Sequence, residues 1–170
     1  MPEVFFISDT HLGHDNILKF TKNDGTRLRN FESLDHMHQT IIDNWCAKVG
    51  PNDKVYHLGD VAFTRRGLDI IGSLPGIKRL VRGNHDNYST NTYKKYFNEI
   101  YGVRQLDGYW FTHIPIHPGS LGERAKANVH GHLHANTVDD SRYLNVSVER
   151  IDFTPISFDE VKDIIRARSD

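Results

Sequence analysis

Cys46 is the only cysteine in the 170-residue chain. No internal disulfide can form, so the fold must rest on its apolar core, and a reducing compartment, the cytoplasm, is the natural expectation. No motif surrounds this thiol, and its place in a helical pattern reads as that of a small buried apolar residue. An excess of one charge is also missing, since 21 basic and 22 acidic side chains give a formal net charge of −1. That excludes the global basic field many nucleic-acid binders show, though not a local patch. No apolar run approaches the length of a bilayer span, and the start Met1-Pro2-Glu3-Val4-Phe5 has neither part of a signal peptide. No membrane association is expected. Repeats, low-complexity stretches and linkers are absent. With 38% hydrophobic and 25% charged residues, one globular domain over residues 1–170 is expected.

What the chain has in quantity is histidine, eleven residues in all. Five of them fall inside a series of short motifs that also supplies carboxylates and an amide. Asp9 and His11 stand in Ser8-Asp9-Thr10-His11, Asp60 in Gly59-Asp60, and Asn84 in Gly83-Asn84-His85-Asp86. His113 follows Thr112, and His132 and His134 lie in Gly131-His132-Leu133-His134. Such oxygen and imidazole donors suit Mn, Fe, Zn or Ni, and no thiolate is among them. Seven donors are too many for one tetrahedral ion but enough for two if a carboxylate bridges. Only Asp9 and Asp60 have the two oxygens that bridging requires. The pattern reads as a two-metal hydrolytic site.

Each motif follows a short apolar run with strand character. Val4-Phe5-Phe6-Ile7 precedes Asp9, Lys54 to Leu58 precedes Asp60, and Ile77 to Val81 precedes Asn84. Tyr109 to Thr112 precedes His113, and Asn128-Val129-His130 precedes His132. The candidate ligands therefore share the carboxyl edge of the strands, where the loops of α/β folds converge on ligands. Helices are predicted from Leu34 to Val49 with Ser33 as cap, from Arg66 to Leu74, and from Thr92 to Ile100. Ser157-Phe158-Asp159-Glu160 is a capping box opening a last helix. Asp107-Gly108 joins a predicted hairpin over 102–110, and 143–148 reads as a further strand. The first half thus looks like β-α-β units and the second mostly like hairpins, with loops at 21–30 and 117–127.

On these residues the chain resembles the calcineurin-like metallophosphoesterase superfamily, whose pattern is D-x-H, G-D, G-N-H-[D/E], a lone His, and G-H-x-H. All five pieces occur here in order between residues 8 and 134. The resemblance implies an α/β fold, a four-layer α/β/β/α sandwich of two mixed sheets flanked by helices. It implies two divalent metal ions, Mn first and Fe, Zn or Ni as others, held by Asp9, His11, Asp60 and His134 and by Asp60, Asn84, His113 and His132. It also implies His85 as the group that protonates the leaving oxygen or steadies the phosphoryl group, with Asp86 as its orienter. Two ions carry four positive charges, of which Asp9, Asp60 and a bridging hydroxide return three, leaving a site suited to an anionic phosphate ester.

Other residues are read against both a functional and a structural role. His14 either contacts substrate or supports a ligand. Arg82 matches an arginine that grips phosphate in phosphoprotein phosphatases, and Arg66 echoes a second one at a longer spacing; either would suit bidentate phosphate contact. His57 and His130 read as supporting or core groups, and His36 and His38 as surface or packing residues. His117, Arg124 and Lys126 belong to a polar loop. The expected partner is a phosphate mono- or diester, with a diester or nucleotide favoured by a chain too short for a capping domain, and nucleic acid as a further candidate. A nuclease similar to double-strand-break repair exonucleases is the alternative, although Val61 to Thr64 lack the further histidine many of those enzymes carry after G-D. A protein-binding scaffold is a third reading, weakened by the retention of His85.

Overall fold

The computed structural model describes residues 1–169. In chain order its elements are β1 (Val4–Ile7), α1 (Leu34–Lys48), β2 (Lys54–His57), α2 (Arg65–Ser73), β3 (Ile77–Val81) and α3 (Thr90–Tyr93). There follow β4 (Glu99–Tyr101), β5 (Arg104–Leu106), β6 (Tyr109–Phe111), α4 (Pro118–Leu121), β7 (Ala127–His130), β8 (Tyr143–Asn145), β9 (Ile156–Ser157) and α5 (Phe158–Ser169). The strands form two mixed sheets, β4-β3-β2-β1-β9 and β5-β6-β7-β8. In the first, β1 to β4 run parallel and β9 joins β1 antiparallel. The second pairs β6, β7 and β8 parallel, with β5 antiparallel on its edge.

Alternation along the strands decides the layering. Phe5, Ile7, Val55 and Leu80 point to one face of the first sheet, where Met37, Ile41 and Trp45 of α1 and Leu68 and Ile71 of α2 complete a buried cluster. Phe6, Tyr56 and Val81 point to the other face and meet Phe111, Val129 and Leu144 of the second sheet. Phe6 and Phe111 stack with centroids 4.2 Å apart and planes 3° from parallel. Helix α5 adds Val161 and Ile165 to this inter-sheet cluster. Two mixed sheets flanked by helices is the arrangement the motif resemblance implies. No helix among the described residues is long and apolar enough to cross a membrane.

The local signals behave as their chemistry dictates. Ser33 Oγ accepts from His36 N at 3.1 Å to start α1. The capping box is reciprocal, with Ser157 N donating to Glu160 Oε2 at 2.8 Å and Glu160 N to Ser157 Oγ at 3.2 Å. Ser157→Ala is therefore expected to lower stability by about 1 kcal/mol, read as a fall in urea midpoint at unchanged slope. Asp107 and Gly108 both take positive φ, 51° and 85°, as the two-residue hairpin turn requires.

Four expectations need correction. The second half is not mostly hairpins: only β5–β6 is one, because the connections at 112–126 and 131–142 are long enough for parallel crossovers. The helix expected over 92–100 is only α3 and the turns after it, since Glu99–Tyr101 pair in parallel with Arg79–Val81 as β4. Within the loop expected at 117–127, Pro118–Leu121 form the short helix α4, with Leu121 buried. Cys46 is exposed, not buried, because Ile41 and Trp45, four residues apart, take the inward stripe of α1 and leave its neighbour outside.

Candidate metal centre

The seven candidate ligands follow β1, β2, β3, β6 and β7 directly, and the fold gathers all five loops at one edge. Two backbone hydrogen bonds join the sheets there, Ser8 N to Val146 O and Val148 N to Ser8 O, both 3.0 Å. The loops cross so closely that their motif glycines are sterically required. A Cβ on Gly59, where φ is +97°, would lie 2.6 Å from the Gly83 backbone, and one on Gly131 would strike Ser8 and the Asp9 carboxylate. Of eight non-glycine residues with positive φ among those described, five are candidate ligands: Asp9, His11, Asp60, His132 and His134. Such backbone persists only where surroundings over-determine it, and it clusters at functional sites.

Two groups result, Asp9 with His11 and His134, and Asp60 with His113 and His132; within each, the donor atoms lie within 4.8 Å of one another. Asp60 Oδ2 stands between the groups, 3.7 Å from His11 Nε2 and 3.3 Å from His113 Nε2. Asn84 Oδ1 is 2.8 Å from His113 Nε2, placing the amide at the second group.

The outward ring nitrogens of His11, His113 and His134 and the outward carboxylate oxygens of Asp9 and Asp60 are engaged. Asp9 Oδ2 accepts from Ser8 Oγ at 2.6 Å, His132 N at 2.8 Å and Ser147 Oγ at 3.1 Å. His113 Nδ1 donates to Leu58 O at 2.7 Å and His134 Nδ1 to Glu149 Oε1 at 3.0 Å, so each keeps its Nε2 lone pair for the interior. Asp9 Oδ1 and His11 Nε2, both aimed inward, are buried with no hydrogen-bond partner. Unpaired buried polar atoms are costly, and a cation between them removes that cost. Burial holds the imidazoles of His11 and His132 below their ordinary pKa, in the neutral form that ligates. Asp9 is buried, which opposes ionisation, yet the imidazoles of His11, His113 and His134 beside it hold the carboxyl well below its usual range. The residues fit a pair of divalent cations.

The chain belongs to the calcineurin-like phosphoesterase family. The family model matches residues 2–167. An uncharacterized protein of Methanocaldococcus jannaschii, MJ1445, is 32% identical over 97% of this chain and 92% of its own length. The gene 66 protein of Mycobacterium phage D29 is 38% identical over 51% of this chain and 41% of its own. The crystal structure of AQ665, a protein of unknown function from Aquifex aeolicus, superposes with a TM-score of 0.77 at 28% identity, covering 96% of this chain and all of that one. Membership in a phosphoesterase family and two Asp/His groups point to divalent metals and a phosphoric ester hydrolase.

The remaining site candidates separate. The His85 ring is exposed at the mouth, 6.1 Å from the His11 ring and 5.4 Å from that of Phe63, while its backbone N donates to Asp60 Oδ1 at 2.8 Å. Asp86 does not orient that ring. Its carboxylate accepts from Asp60 N and Val61 N, both 2.9 Å, and Gly83 N at 2.8 Å, clamping two ligand loops together. His14 faces His11, Nδ1 to Nδ1 at 3.0 Å, and stacks on Phe63 at 4.0 Å. One of those nitrogens must be unprotonated. Burial and the neighbouring His11 and Arg29 lower His14 to about 4, so His14 is neutral, and its contact with His11 Nδ1 leaves His11 Nε2 facing the first group.

Arg82 and Arg66 are not brought to the centre. Arg82 donates to Asp86 O at 2.9 Å and Tyr88 O at 2.6 Å, bracing its own loop. Arg66 extends from the first turn of α2 toward Asp35 at 3.4 Å, with both side chains mostly exposed. His57 lies buried with Nε2 2.9 Å from Thr10 Oγ1, and His38 Nε2 accepts from Gly13 N at 3.0 Å; both brace the first ligand loop. Sequence reasoning passed over Arg29 and Glu149. Arg29 is 1% exposed, donates from Nε to Glu149 Oε1 at 2.8 Å, from Nη1 to Thr10 O at 2.9 Å, and from Nη2 to Asp9 O. No local motif marks either residue.

Proposed function

We propose that the chain is a dinuclear metal-dependent phosphoesterase acting on a phosphate mono- or diester in the cytoplasm, with Mn as the first candidate metal and a nucleotide as the favoured substrate class. Asp9, His11, Asp60 and His134 would hold one cation, and Asp60, Asn84, His113 and His132 the other. When bound, such a pair supplies charge neutralisation for the phosphate and water acidic enough to be deprotonated near neutral pH. The observation that carries this reading is the inward pair of unpartnered buried atoms, Asp9 Oδ1 and His11 Nε2, beside an Asp9 Oδ2 that already accepts three hydrogen bonds.

The side chains do the rest. Ser8, Ser147 and the His132 backbone fix the Asp9 carboxylate, so its free oxygen needs no reorganisation when charge arrives. Asp86 holds the Asp60 turn against Gly83, keeping the bridging carboxylate in place beside Asn84. His85, anchored through its backbone N to Asp60, presents its exposed imidazole where an ester oxygen leaves, and there acts as the proton donor. A nuclease or scaffold reading gains no observation of its own.

Metal analysis combined with rates on a monoester and a diester chromogen, with Mn or Ni added, tests the proposal. Two ions per chain and cleavage of at least one ester are the expected outcome. His85→Asn should then lower kcat by about a hundredfold, within the range of a lost general acid, and leave the metal content at two. One ion at saturation with no P–O cleavage refutes the reading, and undiminished turnover in the His85 variant refutes the proton donor.

A further inference from the structure

A cleft of about 320 Å³ opens beside His132 and His134, between the turn that carries them and the segment Phe20–Leu28. That segment is a built arm. Leu28 N donates to Phe20 O and Lys22 N to Thr26 O, both 2.8 Å, Thr21 bridges Arg27 antiparallel, and Asp24 Oδ1 caps Thr26 N at 2.9 Å. Arg29, immediately after the arm, ties it to the Asp9 and Thr10 carbonyls. The arm is thus held in register with the metal centre.

The chemistry of this cleft is specific. Phe20 is 45% exposed, a large ring left in water at the edge of a catalytic site. It continues an aromatic wall, Phe20 edge-on to His14 at 5.6 Å and His14 stacked on Phe63. Lys22 supplies a cation, and Asn23 and Asn136 line the same space. The volume is at the lower end of small-ligand sites and suits a nucleoside, not a peptide or a helix. The near-zero net charge gives no field for a long polyanion, which favours a short ligand over a nucleic acid.

We propose that this cleft receives the nucleoside portion of a nucleotide phosphate ester, with the base stacked on Phe20 while the phosphate lies at the two Asp/His groups. This inference rests on the phosphoesterase reading and deepens it by giving the nucleoside of the favoured substrate class a place to bind. Every base offers a π-face, so Phe20 gives affinity for nucleosides in general, and the two asparagines add modest preferences among bases.

The test compares two substrates that share a leaving group, p-nitrophenyl thymidine 5′-phosphate and methyl p-nitrophenyl phosphate, in Mn-supplemented protein. The ratio of their kcat/KM values is expected to fall about tenfold in Phe20→Ala, the size of one base–aromatic stack, and to recover in Phe20→Tyr. Calorimetric binding of adenosine 5′-monophosphate against ribose 5-phosphate supplies a readout without turnover. The wild-type preference for the former should be about tenfold and should vanish in Phe20→Ala. Esters cleaved with a ratio unmoved by either substitution overturn the cleft proposal and leave the phosphoesterase reading intact. No cleavage, but a Phe20-dependent preference in binding, does the reverse. Equal binding of the two ligands by the wild-type protein also overturns the proposal.

Discussion

Asp60→Ala is expected to abolish measurable turnover, a loss of about 10³-fold or more, and to leave at most one tightly held metal ion per chain. Asp60 Oδ2 lies within 3.7 Å of His11 Nε2 and 3.3 Å of His113 Nε2, so it reaches both groups at once. Asp9 cannot replace it. One Asp9 oxygen is occupied by Ser8, Ser147 and the His132 amide, and the other faces only the first group. Alanine also removes the acceptor of the His85 backbone amide, so proton donor and metal pair lose their common anchor. Asp60→Asn separates the two effects, because the amide oxygen still accepts from His85 N while the negative charge is gone. Metal content after dialysis and the shift in thermal midpoint with added Mn read the difference. Ligand at 100 times its Kd stabilises the wild-type protein by about 2.7 kcal/mol per independent site. The alanine variant should show a clearly smaller shift. Two ions retained at wild-type affinity would remove Asp60 from the bridging position.

The residues that ligate are legible in the sequence because they are short-range. A strand, a turn glycine and a donor occur within a few positions, and the parallel strands β1, β2, β3, β6 and β7 bring those turns to one edge. The glycines of Gly59-Asp60, Gly83-Asn84 and Gly131-His132 belong to the same local grammar, since they let loops cross where a Cβ would collide. What fails to show is held together across the chain. Strands β4 and β9 cover three and two residues and carry no pattern of their own; their register against β3 and β1 defines them. Asp86 sits inside a recognisable motif, yet its acceptors serve amides 25 and 26 positions away, so sequence neighbourhood suggested His85 as its partner. Cys46 illustrates the reverse error: an apolar-looking position on an amphipathic helix is outside when a tryptophan next to it owns the inward stripe.

Arg29 and Glu149 are the extreme of that long-range class, 120 positions apart with no motif around either. Arg29→Met is expected to destabilise the metal-free protein by about 3–5 kcal/mol, the range for breaking one partner of a buried ion pair. The guanidinium has four acceptors around it: Glu149 Oε1, the carbonyls of Asp9 and Thr10, and Met37 Sδ at 3.6 Å. Methionine can fill much of the aliphatic volume but donates nothing. Glu149, whose Oε2 already lacks a partner, would then keep only His134 for its buried charge. Urea unfolding in EDTA measures this cost free of metal linkage, and a change under about 1 kcal/mol would show that the pair is not structural. Glu149→Leu alone strands Arg29 and frees His134 to rotate; lost support of this kind usually costs 10–100-fold in metal affinity. The double variant Arg29→Met/Glu149→Leu should be less destabilised than the sum of the singles, because the second change removes the charge the first left unpaired. Its stability should recover toward wild type while its metal affinity does not. That divergence separates the two tasks of the pair: the ion pair contributes to the fold only while both partners are present, and the glutamate orients His134 whether or not the arginine is there.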